Sequence, residues 1–169
     1  LTLDRLDQFP QGLGGVYAQY FHRQFPDLDF FSNRIRPALA LILAAKDPLP
    51  TSILKELLRW QGDYEVTRFS ASLGSLFTAI KDCLQPFHKS IRDWLQDSGR
   101  AGDYCVSLNE GLRLMADCGW AAFQRRQSEN PQLSVTETRC LYELHYHLLQ
   151  CREDEAARRL REYLSDVDV

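Results

Sequence analysis

Two short runs typical of β-strands flank a polar dipeptide in the middle of the chain: Leu76-Phe77-Thr78-Ala79-Ile80, then Lys81-Asp82, then Cys83-Leu84-Gln85-Pro86-Phe87. Runs of this length joined by two polar residues predict a β-hairpin. Because proline has no N–H group to donate to a neighbouring strand, Pro86 predicts that the second strand lies at an edge. We therefore expect a two-stranded hairpin in a chain whose periodicity is otherwise helical.

The sequence before the hairpin predicts a series of helices with one apolar face each. The residues that mark these faces are Leu13, Val16, Tyr17, Tyr20, Phe21 and Phe25, then Ile35, Leu39, Ile42 and Leu43, then Ile53, Leu54, Leu57 and Leu58, then Val66, Phe69 and Leu73. Pro26 and the segment 46–50 separate the first three helices. Thr51 or Ser52 is the predicted N-cap of the third, and Gly62 precedes the fourth.

The sequence after the hairpin returns to helical periodicity. It predicts a short helix from Ser90 to Gln96 and a long helix capped by Ser107. A linker from Ser128 to Ser134 follows, and then two closing helices whose apolar positions are Leu141, Leu144, Leu148 and Cys151, and Ala156, Leu160 and Leu164.

Three helices followed by a hairpin is the order of a winged helix. We therefore predict a mainly α protein in three parts. These are a helical segment at 1–34, a winged-helix-like domain with a small β-hairpin at 35–100, and a C-terminal helical bundle at 101–169.

Composition excludes several classes of protein. The 169 residues are 44% hydrophobic and 25% charged with a formal net charge of −3, which is typical of a soluble globular protein and disfavours a broad polyanion-binding surface. No apolar run reaches the roughly 20 residues of a membrane-spanning helix, and the N-terminus lacks a signal-peptide pattern. Five cysteines without close pairing favour free thiols in a reducing compartment, so we expect a cytoplasmic protein without membrane contact.

Two candidate ligand sites are disfavoured by their spacing. Gly12, Gly14 and Gly15 precede a helix with no strand before them, and no lysine follows a glycine, so they indicate a flexible helix start rather than a phosphate loop. His147 with Cys151 could form half a metal site, but seven helical residues separate Cys140 from His147 by roughly 10 Å. We expect a packed cysteine and a half-buried histidine, and no metal.

The segment 86–95 holds the remaining candidate, His88. A nucleophilic site of Ser90, His88 and Asp93 is possible by spacing, but Ser90 could simply cap the helix, and no oxyanion-binding motif accompanies it, so we expect no catalysis. The sequence predicts that Phe87, Ile91, Trp94 and Leu95 anchor the segment in the core. His88 then points outward at the junction of hairpin and helix, where residue chemistry alone favours a hydrogen bond to a neighbouring carbonyl.

The chain resembles the arm that follows the nucleotide-binding core in STAND-class NTPases, specifically NACHT proteins with C-terminal WD, ankyrin or tetratricopeptide repeats. The similar stretches lie in the same order along nearly the whole chain. They are Leu6–Leu13 with Val16, Tyr17, Phe21 and Arg23–Phe25, then Arg36–Leu39 through Ala44–Pro50, then Leu73–Phe77, the His88 segment, Tyr142–Leu149 and Glu153–Tyr163.

This resemblance implies a regulatory role without catalysis. In the family, the histidine that His88 matches contacts the ADP phosphate and holds a closed state, and exchange to ATP frees the arm for oligomerisation. Phe87, Ser90 and Trp94 would support His88, and the parent would bind ADP or ATP with magnesium. The implied partners are the intramolecular ATPase core, the repeats and further copies of the activated parent. Plant and apoptotic relatives carry an acidic residue where Lys89 stands here.

The chain has neither a phosphate loop nor a magnesium-coordinating acid, so we expect it to be a fragment of a longer protein. Two other functions remain open. A nucleic-acid-binding winged helix would use Arg68 and Lys81, but Asp63, Glu65 and Asp82 lie in the same region. A protein-interaction scaffold would expose a face that is normally buried against the ATPase core.

Overall fold

The structure is a computed structural model that describes residues 12–126, 132–151 and 153–167. Helices form most of it. Its α-helices are α1 (Gly12–Gln24), α2 (Leu28–Phe30), α3 (Arg36–Ala44), α4 (Thr51–Leu57), α5 (Asp63–Leu73), α6 (Lys89–Gln96), α7 (Ser98–Ala101), α8 (Leu108–Arg125), α9 (Val135–Tyr142), α10 (Leu144–Gln150) and α11 (Asp154–Val167). A π-helix (Phe31–Ile35) joins α2 to α3, and 3₁₀ turns occupy Gly74–Leu76 and Gly102–Tyr104. The strands are β1 (Leu49–Pro50), β2 (Phe77–Ile80) and β3 (Cys83–Pro86).

Some predicted features fall outside these ranges. Residues 128–131 of the predicted linker and residues 6–11 of the first family-like stretch are not among the described residues. Within the described ranges, no helix combines the length and the apolar character needed to cross a membrane.

The predicted hairpin is confirmed. β2 and β3 pair antiparallel, with Phe77 opposite Pro86 and Ile80 opposite Cys83. Lys81 and Asp82 form the two-residue turn with φ of 50° and 62°. Positive φ at both central residues is the geometry that matches the twist of the paired strands. We call this turn the wing.

The predicted edge position of the second strand is wrong, because β3 lies in the centre of a three-stranded sheet ordered β1-β3-β2. β1 was not predicted; it has two residues and pairs with β3 through Leu49 opposite Leu84 and Pro50 opposite Cys83. Pro86 lies beyond the end of β1. The N–H groups of successive residues in a strand point to opposite sides, and the N–H of the next residue, Phe87, donates to Leu76 on the β2 side. The nitrogen of Pro86 therefore faces the β1 side, where β1 does not extend far enough to need a donor. A proline is therefore tolerated in the central strand.

The elements α3, β1, α4, α5, β2 and β3 follow one another in the order of a winged helix. The fold is mainly α, with a winged-helix-like domain that carries the small sheet, as the sequence predicts. The hydrophobic core nevertheless continues without a break from Tyr17 to Ala156. It therefore crosses both predicted boundaries, at 34/35 and at 100/101.

Two local predictions about the helices are wrong. α4 begins at Thr51 itself, after Pro50, and no side chain caps it; the Thr51 N–H instead donates to the Asp82 carbonyl in the wing at 2.8 Å. On α1, Tyr17 and Phe21 are buried, but Leu13 and Val16 are exposed. The predicted apolar face of α1 is thus wider than the surface that the core covers.

An aromatic cluster packs α1 against α6 and Tyr104. Phe21 is completely buried, and its ring centroid lies 5.2 Å from that of Trp94 on α6 and 5.7 Å from that of Tyr104. The Tyr104 hydroxyl donates to the Phe25 carbonyl at 3.1 Å. Offset and edge-on rings at these separations stabilise beyond their buried area, so α1 and α6 are held in one register.

The two halves of the chain meet where α8 crosses α3. A Cβ atom placed on Gly111 of α8 would lie 2.0 Å from the Ala40 carbonyl oxygen and 2.8 Å from the Ala44 Cβ. Only a hydrogen fits there, so the small residues on both helices let the backbones approach closely.

A second close approach places the C-terminal helices on α8. A Cβ atom on Gly119 would lie 2.4 Å from the carbonyl oxygen of Cys140 on α9.

The first closing helix is interrupted at Glu143, so it forms α9 and α10 rather than one helix. Ser134 caps α9 in a reciprocal capping box with Glu137. Its hydroxyl also donates to Glu56 on α4 at 2.6 Å.

Gly111→Ala is predicted to destabilise the protein by about 2–3 kcal/mol, because the added methyl group would force α8 away from α3. Urea denaturation measures the loss. The control is Gly14→Ala, where the new Cβ meets Trp94 at an ordinary 3.6 Å and should be neutral or stabilising by up to about 1 kcal/mol. Equal stability of the two variants would contradict the close packing of α3 and α8.

Candidate functional site

His88 is exposed at the junction between β3 and α6. It is the N-cap of α6 in extended conformation, and its Nδ1 accepts a hydrogen bond from the Ser90 N–H at 3.1 Å. The histidine, rather than Ser90, therefore caps the helix. Because Nδ1 acts as an acceptor, the neutral ring carries its proton on Nε2, and this N–H is the donor on the outer edge of the ring.

Ser90 connects His88 to the core. Its Oγ lies 2.8 Å from the Nδ1 of His88 and 2.6 Å from the hydroxyl of Tyr17, which is buried on α1. Two hydrogen bonds thus fix one side of an otherwise exposed ring. The orientation of the imidazole is set by α1 and α6 together.

The residues predicted to support His88 divide into buried and exposed. Trp94 is 2% exposed, and its ring lies 5.8 Å from that of Tyr17, so it supports the hydroxyl that binds Ser90. Ile91 and Leu95 are buried as predicted. Phe87 is 70% exposed, so the prediction that it anchors the segment in the core is wrong. The backbone of residue 87 is held by the sheet, while its side chain lies outside.

A small basic cleft borders this junction. Its volume is about 240 Å³, and it lies between the C-terminal end of α3 and the base of the hairpin. Lys46, Lys89 and Arg92 line it together with one acidic residue, Asp47. Arg92 also donates to the Leu43 carbonyl at 2.7 Å, which satisfies a C-terminal carbonyl of α3. Positive charge therefore exceeds negative charge among the described residues that line this cleft.

This cleft was not found from the sequence. Lys46 and Arg92 are 46 positions apart in the printed sequence, and neither belongs to a recognisable motif. Only the position of Lys89 directly after His88 could have suggested that a cation lies there.

The disfavoured nucleophilic site is not assembled in the described part of the chain. Ser90 and His88 are in hydrogen-bond contact, but the same Nδ1 caps α6, and no hydrogen bond joins Asp93 to His88 there. A triad needs the third group to orient the base. The absence of catalysis stays a prediction.

The three glycines near the N-terminus belong to α1 rather than to a loop before it. Gly12 has a φ of 74° at the helix start, and Gly14 faces the Trp94 ring. Of the three, Gly14 lies at the contact between α1 and α6, where an added Cβ would meet the Trp94 ring at 3.6 Å.

Cys140, His147 and Cys151 lie on α9, on α10 and directly after α10. Over the residues that the structure describes, no group of three or more His, Cys, Asp or Glu side chains is placed to hold a metal ion. Cys140 is packed in the core as predicted. His147 has no exposed surface, so the prediction of a half-buried ring is wrong.

The environment of His147 disfavours its charged form. Neither ring nitrogen has a hydrogen-bond partner among the described residues, and Nε2 lies 3.7 Å from Glu143 Oε2. Burial lowers the pKa of His147 to about 4, and the positive charges of Arg139 and His145 act in the same direction. The imidazole is therefore neutral near pH 7.

The residues of the nucleic-acid alternative are not on one basic surface. The Arg68 guanidinium lies over the Phe30 ring, 5.6 Å from its centroid. Lys81 is exposed in the wing next to Asp82. Asp63 and Glu65 lie on the same helix as Arg68, so phosphate groups along α5 would also meet carboxylates.

Comparison with protein-family models, with curated proteins and with solved structures gives no match for this chain.

Because an unfolded chain protonates histidine near pH 6.5 and the folded protein protonates His147 only near pH 4, stability should fall as the pH falls through this interval. Between pH 7.5 and pH 5 we predict a loss of about 2 kcal/mol in the free energy of unfolding. Urea denaturation of wild type and of His147→Leu measures it, since the variant should lack this component. His22→Gln, which replaces an exposed histidine on α1, is the control and should keep it; an identical pH dependence in His147→Leu and wild type would refute the assignment.

Proposed function

We propose that this chain is the regulatory, non-catalytic arm of a STAND-class NTPase of the NACHT type, in which His88 contacts the ADP phosphate and stabilises the closed state. The main support for the proposal is the exposure and the fixed orientation of the His88 ring. It is exposed, its orientation is fixed through Nδ1, and its Nε2 donor faces away from the supporting hydrogen bonds.

The order of the elements supports this proposal. The stretches that resemble the family place a winged helix between two helical segments, and the structure has that order, with His88 directly after the last strand of the sheet. A residue at the end of a strand and the start of a helix is held by both elements. Such a position suits a contact that must be made in one state of the protein and broken in another.

The charges around His88 support a phosphate partner. A histidine N–H donor beside a phosphate forms a charge-assisted hydrogen bond. Lys89 and Arg92 add positive charge along the first turns of α6. Lys89 stands where plant and apoptotic members of the family carry an acidic residue, and this difference favours binding of an anion.

The proposed mechanism is a shift between two states. A ligand changes an equilibrium only through contacts that differ between the states. In the closed state of the parent, His88 would contact the ADP phosphate bound by the ATPase core. Exchange to ATP would remove this contact, the arm would rotate with the winged helix, and a signal from C-terminal repeats would lead to oligomerisation.

A second function, a protein-interaction scaffold, is favoured by one observation. The exposed fractions of Leu13, Val16 and Phe87 are 59%, 47% and 70%. Leu13 and Val16 are three residues apart on α1 and therefore neighbours on its surface, and adjoining apolar side chains with this exposure favour a surface that another protein segment covers. An ATPase core in the same parent protein would be such a segment. The scaffold function therefore differs from the regulatory arm in that it requires no contact between His88 and a nucleotide.

The test uses the full-length parent and compares ADP release by stopped-flow fluorescence of a labelled nucleotide. His88→Asn should keep the cap of α6, because asparagine is a good N-cap, but it loses the outer donor. ADP release should become roughly ten- to a hundredfold faster, the factor expected for loss of a hydrogen bond to a charged group.

His88→Ala removes both the cap and the donor. It should release ADP as fast as His88→Asn and also lower the stability of this chain by about 1 kcal/mol. His145→Ala, which replaces another exposed histidine, is the control and should behave as wild type. Unchanged ADP release and unchanged basal activity in His88→Asn would exclude the sensor role and leave the scaffold.

A further inference from the structure

A second pocket lies between the segment Phe30–Ile35 and α5. Its volume is about 210 Å³. Four aromatic side chains and two arginines line it: Phe30, Trp60, Tyr64 and Phe69, with Arg34 and Arg68. We call it the aromatic pocket, and none of its residues takes part in the His88 site.

The base of the aromatic pocket is rigid and its rim is accessible. Trp60 and Phe69 are 8% and 4% exposed, and their ring centroids lie 5.3 Å apart. Tyr64 is 74% exposed, and Phe30 is 38% exposed. Two buried rings thus form a fixed floor, while two rings at the opening can contact a ligand from the side.

A π-helix forms one wall of the pocket. Residues Phe31–Ile35 close wider turns than an α-helix, and the Arg36 N–H donates to the Phe31 carbonyl. Phe31 is buried in the core, whereas Arg34 and Ile35 line the pocket. π-helical turns are rare and frequently occur at functional sites, so this wall supports the assignment of a ligand site.

The charges of the pocket select an anion. Among the described residues, Glu65 is the only acidic one that lines it, and both of its carboxylate oxygens are engaged, one by Arg34 and the other by the Gln61 N–H. Arg68 has no carboxylate within salt-bridge distance among the described residues, and its guanidinium lies over the Phe30 ring. A cation, which aromatic cages often bind, would meet two arginines and no free acid.

The volume limits the size of the ligand. A cavity of about 150 Å³ holds benzene, and sites for drug-sized molecules start at about 300 Å³. A volume near 210 Å³ therefore fits one ring or two fused rings and excludes a nucleoside diphosphate.

We propose that the aromatic pocket binds an aromatic carboxylate, with the ring against Trp60 and Phe69 and the carboxylate paired with Arg68. The ligand is a planar ring with an acidic group one or two bonds away. This chemistry is found in free small molecules and in acidic, aromatic peptide segments. The inference does not depend on the proposed role of His88.

The experiment titrates the ¹⁵N-labelled chain with indole-3-acetate and follows the indole N–H signal of Trp60 by NMR. We expect this signal and the amides of α5 to shift. Indole-3-acetamide, the neutral analogue, should bind roughly tenfold more weakly, because it cannot form the charge-assisted contact. Tryptamine, which carries the opposite charge, should bind more weakly still.

Arg68→Gln should remove the preference for the acetate over the acetamide and leave the affinity for the acetamide unchanged. Arg161→Gln, which neutralises an exposed arginine on α11, is the matched control and should bind as wild type. Tyr64→Ala removes a largely exposed ring, so it should weaken all ligands without loss of the fold.

A blocked Trp-Glu dipeptide presents the same ring and charge on a peptide backbone. Tighter binding of the dipeptide identifies a protein segment as the ligand, and tighter binding of indole-3-acetate identifies a free small molecule. Both results support the proposal. It is overturned if neither probe shifts the Trp60 signal, if tryptamine binds as well as the acetate, or if Arg68→Gln keeps the preference.

Discussion

The close approach of α3 and α8 determines how the rest of the chain is arranged. Every residue of α3 from Ala38 to Ala44 is buried, so other elements must cover the helix on nearly all sides. α8 covers one side, at a separation that only Gly111 opposite Ala40 allows. The sheet packs against α3 through β3, and Arg92 of α6 donates to a carbonyl at the C-terminal end of α3. The winged-helix-like domain and the C-terminal helices thus share one core helix.

This arrangement separates the rigid parts of the molecule from its exposed candidate sites. Aromatic packing between α1 and α6 fixes the base on which Ser90 holds the His88 ring. The aromatic pocket lies elsewhere, where α5 and the π-helix diverge above Trp60 and Phe69. Both sites combine a buried, well-packed floor with polar groups at the surface, the usual condition for precise orientation of a ligand.

Much of the fold follows from local signals in the sequence. The helix positions follow from apolar periodicity, and the wing from two short runs around Lys81-Asp82. β1 could not be predicted, because its two residues, Leu49 and Pro50, are too few to show a periodicity and pair only with a strand that is distant in sequence. The central place of β3 was missed for the same reason, since Pro86 is tolerated only because β1 is so short.

The candidate site was predictable only in part. The exposed position of His88 follows from its place between a strand and a helix, whereas its capping role depends on backbone geometry at Ser90. The exposure of Phe87 could not be inferred, because no periodic pattern covers the junction itself. The aromatic pocket joins residues from three separate segments, and the π-helix in its wall has no signature in the sequence.

Native-state amide hydrogen exchange tests the shared core most directly, with the amides of Leu41 and Leu43 on α3 compared with those of Leu112 and Met115 on α8. If one core helix serves both halves, all four amides exchange only through global unfolding, with the same free energy of opening. If the α8 amides exchange with a free energy about 2 kcal/mol or more below that of the α3 amides, the two halves open separately and the account is contradicted.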